Sequence, residues 1–73
     1  MQKKRIIYTT HALQRKLERN ITDDEVSRVL NEPDYILSSI EGRKIAVKHL
    51  GNKIIRVIYK EEKTILIVIT VTG

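Results

Sequence analysis

The sequence predicts an α+β fold, with two N-terminal helices packed on one face of a four-stranded antiparallel meander sheet. Three observations predict it. The segment before Pro33 carries helix caps and helical spacing of apolar residues. From Asp34 onward the apolar residues alternate, as strands require. The strand-like runs are separated by short turn pairs, and short connections join antiparallel neighbours.

The elements follow in order. Lys3-Lys4-Arg5-Ile6-Ile7-Tyr8 reads as a short extra N-terminal strand or a basic arm. Helix one spans about 11 to 19, with Thr10 as N-cap, because a hydroxyl there accepts an orphan backbone N–H. Leu13 and Leu17 form its apolar stripe. Asn20 suits the left-handed residue that ends a helix. Helix two opens on a capping box, Thr22 at N-cap with Glu25 at N3, and on a hydrophobic staple of Ile21 and Val26. Asp23 and Asp24 suit the positive end of its dipole. Val26, Val29 and Leu30 are its buried face, and Pro33 ends it.

Four strands are expected near 34–40, 43–50, 53–60 and 63–72, punctuated by Glu41-Gly42, Gly51-Asn52 and Glu61-Glu62. Gly51-Asn52 is a good two-residue hairpin turn. Glu61-Glu62 is a poor one and reads equally as part of a longer loop. Turns centred on those pairs set Val47 opposite Arg56 and Arg56 opposite Ile67. One sheet face then carries Ile36, Ile40, Ile45, Val47, His49, Ile54, Arg56, Ile58, Ile65, Ile67, Ile69 and Val71, and should receive the helices. The other carries Tyr35, Leu37, Lys44, Ala46, Lys48, Ile55, Val57, Tyr59, Leu66, Val68, Thr70 and Thr72. That mixed face is too apolar at its centre to stay in water, so a homodimer or another partner is expected on it. A one-residue slip would exchange the faces.

The totals narrow the classes. Residues 1–73 make a single domain, which buries only about 60 % of its unfolded surface. With no cysteine and two histidines, neither a disulfide, a convincing metal site nor a cofactor is expected, and a reducing cytoplasm fits. No apolar run approaches the ~18 residues of a membrane span, so no membrane partner is expected. The net charge is +5, unevenly spread: residues 22–34 carry −4 and the remainder +9. A basic surface of that kind points to a polyanion such as RNA.

Candidate chemistry centres on His11, Arg15 and Arg19, which share a helix face by their spacing of four. His11 is titratable near neutrality and suits a general acid or base; it serves equally as a residue that fixes the helix entry. Arg56 is the odd residue on the apolar face, where an unpaired buried guanidinium is costly. It either pairs with Glu18, binds phosphate beside His11, or reaches solvent along its aliphatic stem. His49 ends a strand and reads first as an edge residue. Lys48 and its alternating neighbours Lys44 and Lys53 either track a nucleic-acid backbone or protect a sheet edge. Tyr59 could stack a base, although three tyrosines with neither Phe nor Trp make a poor stacking platform, and packing explains Tyr59 and Tyr8 as well.

The stretches Thr10-His11-Ala12-x-x-Arg15-x-x-x-Arg19-x-Ile21, Thr22-x-x-Glu25-Val26 and Asn31-Glu32-Pro33-Asp34, with Ile55–Ile58 and Ile67–Val71, resemble the small prokaryotic family DUF4258 over residues 8–72. That family has been grouped with RelE-like toxins and the barnase, EndoU and colicin ribonuclease fold. The resemblance implies a RelE-like arrangement, RNA cleavage by His11, Arg15 and Arg56, and a small antitoxin partner. Asn20 stands where the family commonly has Gly. The closing Thr70-Val71-Thr72-Gly73 lacks the basic and tyrosine residues on which ribosome-dependent RelE toxins rely.

Three functions are therefore weighed. The first is a metal-independent endoribonuclease toxin, with His11 as acid or base, Arg15 and Arg56 on the scissile phosphate, and Arg19, Lys48 and Tyr59 binding RNA. The second is a non-catalytic RNA- or protein-binding module of the same fold. The third is a degenerate fold that keeps only structure.

Overall fold

The computed structural model describes residues 4–73. Its elements are β1 (Arg5–Tyr8), α1 (Thr10–Glu18), α2 (Asp23–Asn31), β2 (Tyr35–Ser38), a single 3-10 turn (Ile40–Gly42), β3 (Arg43–Leu50), β4 (Lys53–Glu61) and β5 (Ile65–Thr72). The architecture is α+β, with two helices and one five-stranded mixed sheet of order β1-β5-β4-β3-β2. The expected four-stranded antiparallel meander is thus corrected by one strand. β2 to β5 form the meander, and β1 joins its far edge parallel to β5, with Ile6 opposite Leu66 and Tyr8 opposite Val68. Of the two readings of the N-terminal segment, the strand holds from Arg5; Lys3 lies outside the described residues.

The helices begin and end on local chemistry. Thr9, not Thr10, is the N-cap of α1, and its Oγ1 accepts the Ala12 N–H at 3.1 Å. At the other end Asn20 has φ 54°; its N–H donates to Leu17 O, and the Ile21 N–H donates to Lys16 O at 2.9 Å. That paired pattern is a Schellman ending. Two residues later α2 starts on the expected capping box, with Thr22 Oγ1 accepting from Glu25 N at 3.1 Å and Glu25 Oε1 accepting from Thr22 N at 3.0 Å. So short a link fixes the rotation of α1 about its axis. It turns Ala12 into the core and leaves Leu17 76 % exposed, which overturns the expected Leu13–Leu17 stripe.

Register decides which sheet face the helices cover. Gly51, at φ 64°, makes the expected two-residue turn, and Val47 pairs with Arg56 as expected. Beyond β4 the expectation fails. The chain turns at Glu62–Ile65, where Glu62 N–H donates to Ile65 O, and Arg56 meets Thr72 rather than Ile67. A bulge intervenes: Ile58 pairs with Thr70 and Tyr59 with Val68, so Ile69 is left over on β5. The core unites Ala12, Ile21, Val26 and Val29 with Ala46, Ile55, Val57, Tyr59, Val68 and Val71. Each fully buried Ile or Val contributes about 1.5–3 kcal/mol.

The helices therefore lie on the face expected to be mixed and open, and the isoleucine face is the one left open. Both faces are rich in branched aliphatics, so hydrophobicity alone does not choose between them. The helix-side face offers Ala46, whose small side chain admits close approach, and it continues through Ile6 and Tyr8 of β1. The expected homodimer through the mixed face is overturned as well, because helices already cover its centre. β2 is also one residue out of the expected phase: Tyr35 and Leu37 share the open face with Val47 and Ile45, and Ile36 lies opposite Ala46. No helix among the described residues is long and apolar enough to cross a membrane.

Candidate functional site on the open sheet face

Strand alternation places Arg43, Ile45, Val47 and His49 of β3 on the open face, beside Ile54, Arg56, Ile58 and Lys60 of β4. Arg5 and Ile7 of β1 lie on it beside Ile65 and Ile67, and Tyr35 and Leu37 close it at the β2 edge. Arg43 sits directly opposite Lys60, and Arg56 lies between Val47 and Thr72. Arg5, Arg43, Arg56 and Lys60 are all exposed, and no acidic strand residue occupies a register position on this face. Glu61, with the opposite parity, is held by Lys4 at 2.7 Å and Lys44 at 2.9 Å. Those two ammonium groups pull its carboxyl down to about 2.

At the β2–β3 corner Asp34 extends the ladder with its side chain. Its backbone N–H donates to Val47 O at 2.8 Å, and its Oδ2 accepts the His49 N–H at 2.8 Å. The same Oδ2 lies 3.0 Å from His49 Nδ1, and Lys48 Nζ lies 3.7 Å from Oδ1. The His49 backbone N–H, the His49 ring and Lys48 hold the Asp34 carboxyl below its ordinary range. A carboxylate can only accept, so Nδ1 carries the shared proton, and in the neutral ring Nε2 is the nitrogen left to accept. The His49 side chain is 57 % exposed. It faces Ile54, two residues from Arg56, a diagonal separation of about 7 Å on a sheet.

The residues expected to act together are divided by the sheet. His11 is exposed on α1, and Arg15 donates to Glu18 at 3.4 Å, but both belong to the helix side, whereas Arg56 is on the open face. A site combining His11, Arg15 and Arg56 is not assembled, because the face inversion carries Arg56 away from α1. An Arg56–Glu18 ion pair is absent for the same reason, and of the three readings Arg56 takes the solvent-exposed one. Arg19 is the exposed C-cap of α1. Lys48 lies on the helix side, where its Nζ donates to Glu32 O at 2.7 Å and ties down the end of α2. Tyr59 is 5 % exposed in the core and cannot offer its ring to a base. Tyr8 is half-buried under Lys16, whose Nζ sits 5.1 Å from the ring centroid; burial, with Asp23 beside it, pushes its hydroxyl up to about 12. Among the described residues no three His, Cys, Asp or Glu gather to hold a metal ion.

Sequence reasoning passed over Arg5, Arg43, Lys60 and Asp34. Two of these were within reach, since the Gly51-Asn52 turn that sets Val47 against Arg56 also sets Arg43 against Lys60.

The family model described as "Domain of unknown function (DUF4258)" matches residues 8–72. The chain belongs to the DUF4258 family. The match runs from the last residue of β1 to the end of β5, so this DUF4258 domain takes in both helices and both sheet faces. No curated protein and no solved structure matches the chain.

Proposed function

We propose that this DUF4258 protein is an RNA-binding module that holds a phosphate backbone against its open sheet face. The observation that carries the reading is the sharing of that face by Arg5, Arg43, Arg56 and Lys60 without an acidic strand residue. A face of one sign collects a polyanion and repels a second copy of itself. Arg and Lys stems lie along apolar surface while their heads stay in water. Between them Ile45, Ile58 and Ile67 offer half-buried aliphatic ground for ribose and base edges. The helix side is the more neutralised of the two: Arg15, Lys16, Lys44, Lys48 and Lys53 are engaged by acids or a carbonyl, whereas on the open face Arg43 alone of the four cations has an acid nearby among the described residues, Glu41 at 4.0 Å.

The test is the salt dependence of affinity for a labelled single-stranded RNA. Each phosphate contact adds about 0.7 to the logarithmic salt slope for single strands. Arg43→Ala and Arg56→Ala should each flatten the slope by about that amount, and Arg19→Ala should leave it unchanged. A slope that responds only to Arg15 and Arg19 substitutions would move the interface to α1 and sink the reading.

A further inference from the structure

We infer that Asp34, His49 and Arg56 form a phosphodiester-transfer site for single-stranded RNA at the β2–β3 corner of the open face. The inference rests on the RNA-binding reading and adds chemistry to it. His49 is the only histidine on that face, and its position is set twice by one carboxylate oxygen, through the backbone N–H and through Nδ1. A ring held by its Nδ1 presents Nε2 in a fixed direction, and no described residue bonds that nitrogen. Arg56 stands on the adjacent strand at the diagonal position, within reach of a phosphate that Nε2 also approaches. A guanidinium fits two phosphate oxygens at once.

Those parts suffice for attack by the RNA's own 2′-hydroxyl. Nε2 of His49 takes the 2′-hydroxyl proton as the 2′-oxygen bonds to phosphorus. The bond from phosphorus to the 5′-oxygen of the next nucleotide breaks. Arg56 bears the charge that builds on the equatorial oxygens. The leaving oxygen takes a proton from water, and His49 returns its own to solvent. The products are a 2′,3′-cyclic phosphate and a 5′-hydroxyl, with no redox change and nothing consumed. His49 and Arg56 are the catalytic residues. Asp34 is a positioning residue that selects the tautomer and steadies the imidazolium.

The test uses the full chain with a labelled single-stranded RNA in chelator, following both affinity and the cyclic-phosphate product. Wild type should cut, and a substrate carrying a single ribose should be cut only there. His49→Ala and His49→Gln should lower kcat by about a hundredfold or more and leave affinity nearly unchanged. Asp34→Asn should lower kcat with affinity intact, a split that a purely structural clasp would not produce. Binding without cleavage by wild type overturns this inference and leaves the RNA-binding reading standing. Absence of binding by wild type overturns both. Cleavage that survives in His49→Gln, or that is lost in His11→Ala instead, assigns the chemistry elsewhere and overturns the inference.

Discussion

The Thr9 hydroxyl donates to the carbonyl oxygen of Ile69 at 3.0 Å, and so joins the N-cap of α1 to the one residue of β5 that the sheet leaves over. The Thr9 Oγ1 also accepts the Ala12 N–H, and the Thr9 N–H donates to Val68 O at 3.0 Å. One short side chain thus starts a helix, satisfies a bulge and sets the height of the helix above the sheet.

Thr9→Val should therefore destabilise the protein by about 1–2 kcal/mol, since it removes a cap and leaves a half-buried carbonyl without its donor. Thr9→Ser should retain most of the stability. Thr10→Val, at the neighbouring threonine, should be close to neutral. Urea denaturation of the three variants measures the order, and a Thr10 effect larger than the Thr9 effect would refute the assignment.

Adjacent residues of β4 test which face is core. Ile55 is fully buried and Ile54 is 38 % exposed. Ile55→Ala should cost about 2–5 kcal/mol, whereas Ile54→Thr should fall within about 1 kcal/mol of wild type. Thermal or chemical unfolding that ranks them the other way would restore the helices to the isoleucine face.

Asn20 occupies the left-handed position that closes α1. Asn20→Gly should be neutral to mildly stabilising, and Asn20→Val should cost about 1–2 kcal/mol because a branched Cβ meets the following carbonyl there. The melting temperatures of the pair decide it.

Acid should expose the Lys4–Glu61–Lys44 cluster. The Glu61 carboxyl titrates near 2 when folded against an ordinary 4.5. Its contribution is therefore complete above pH 4.5 and is lost as the pH falls toward 2. The melting temperature of Glu61→Gln should fall less than that of wild type across that window. Equal slopes would mean that the pairs add nothing in solution, the common fate of exposed ion pairs.

What the sequence discloses here is what neighbouring residues decide. The Thr22–Glu25 box, the left-handed Asn20 and the Gly51-Asn52 turn each rest on contacts a few residues apart, and each stands as read. The errors arise where distant segments choose. Leaving Ile69 over at the bulge depends on a turn placed later than Glu61-Glu62 and on a threonine far back along the chain. The face that meets the helices depends on small Ala46 and on the pairing of β1, neither of which alternation reveals. The candidate site suffers in proportion. The sequence pairs Arg56 with Val47 but sets it on the wrong side of the sheet relative to His11, and it offers Asp34 only within the Asn31-Glu32-Pro33-Asp34 stretch, with nothing to bring its carboxylate to His49.

The parallel pairing of β1 with β5 also sets the order of events during synthesis. Thr9 and Ile69 are 60 residues apart, so β1 has no strand to pair with until β5 has been made. The capped helices can form early and α2 can settle on β3 and β4, but α1 must wait for β5, the strand it packs on. Closing that loop is the costliest contact in the topology, and it is the step expected to limit the folding rate.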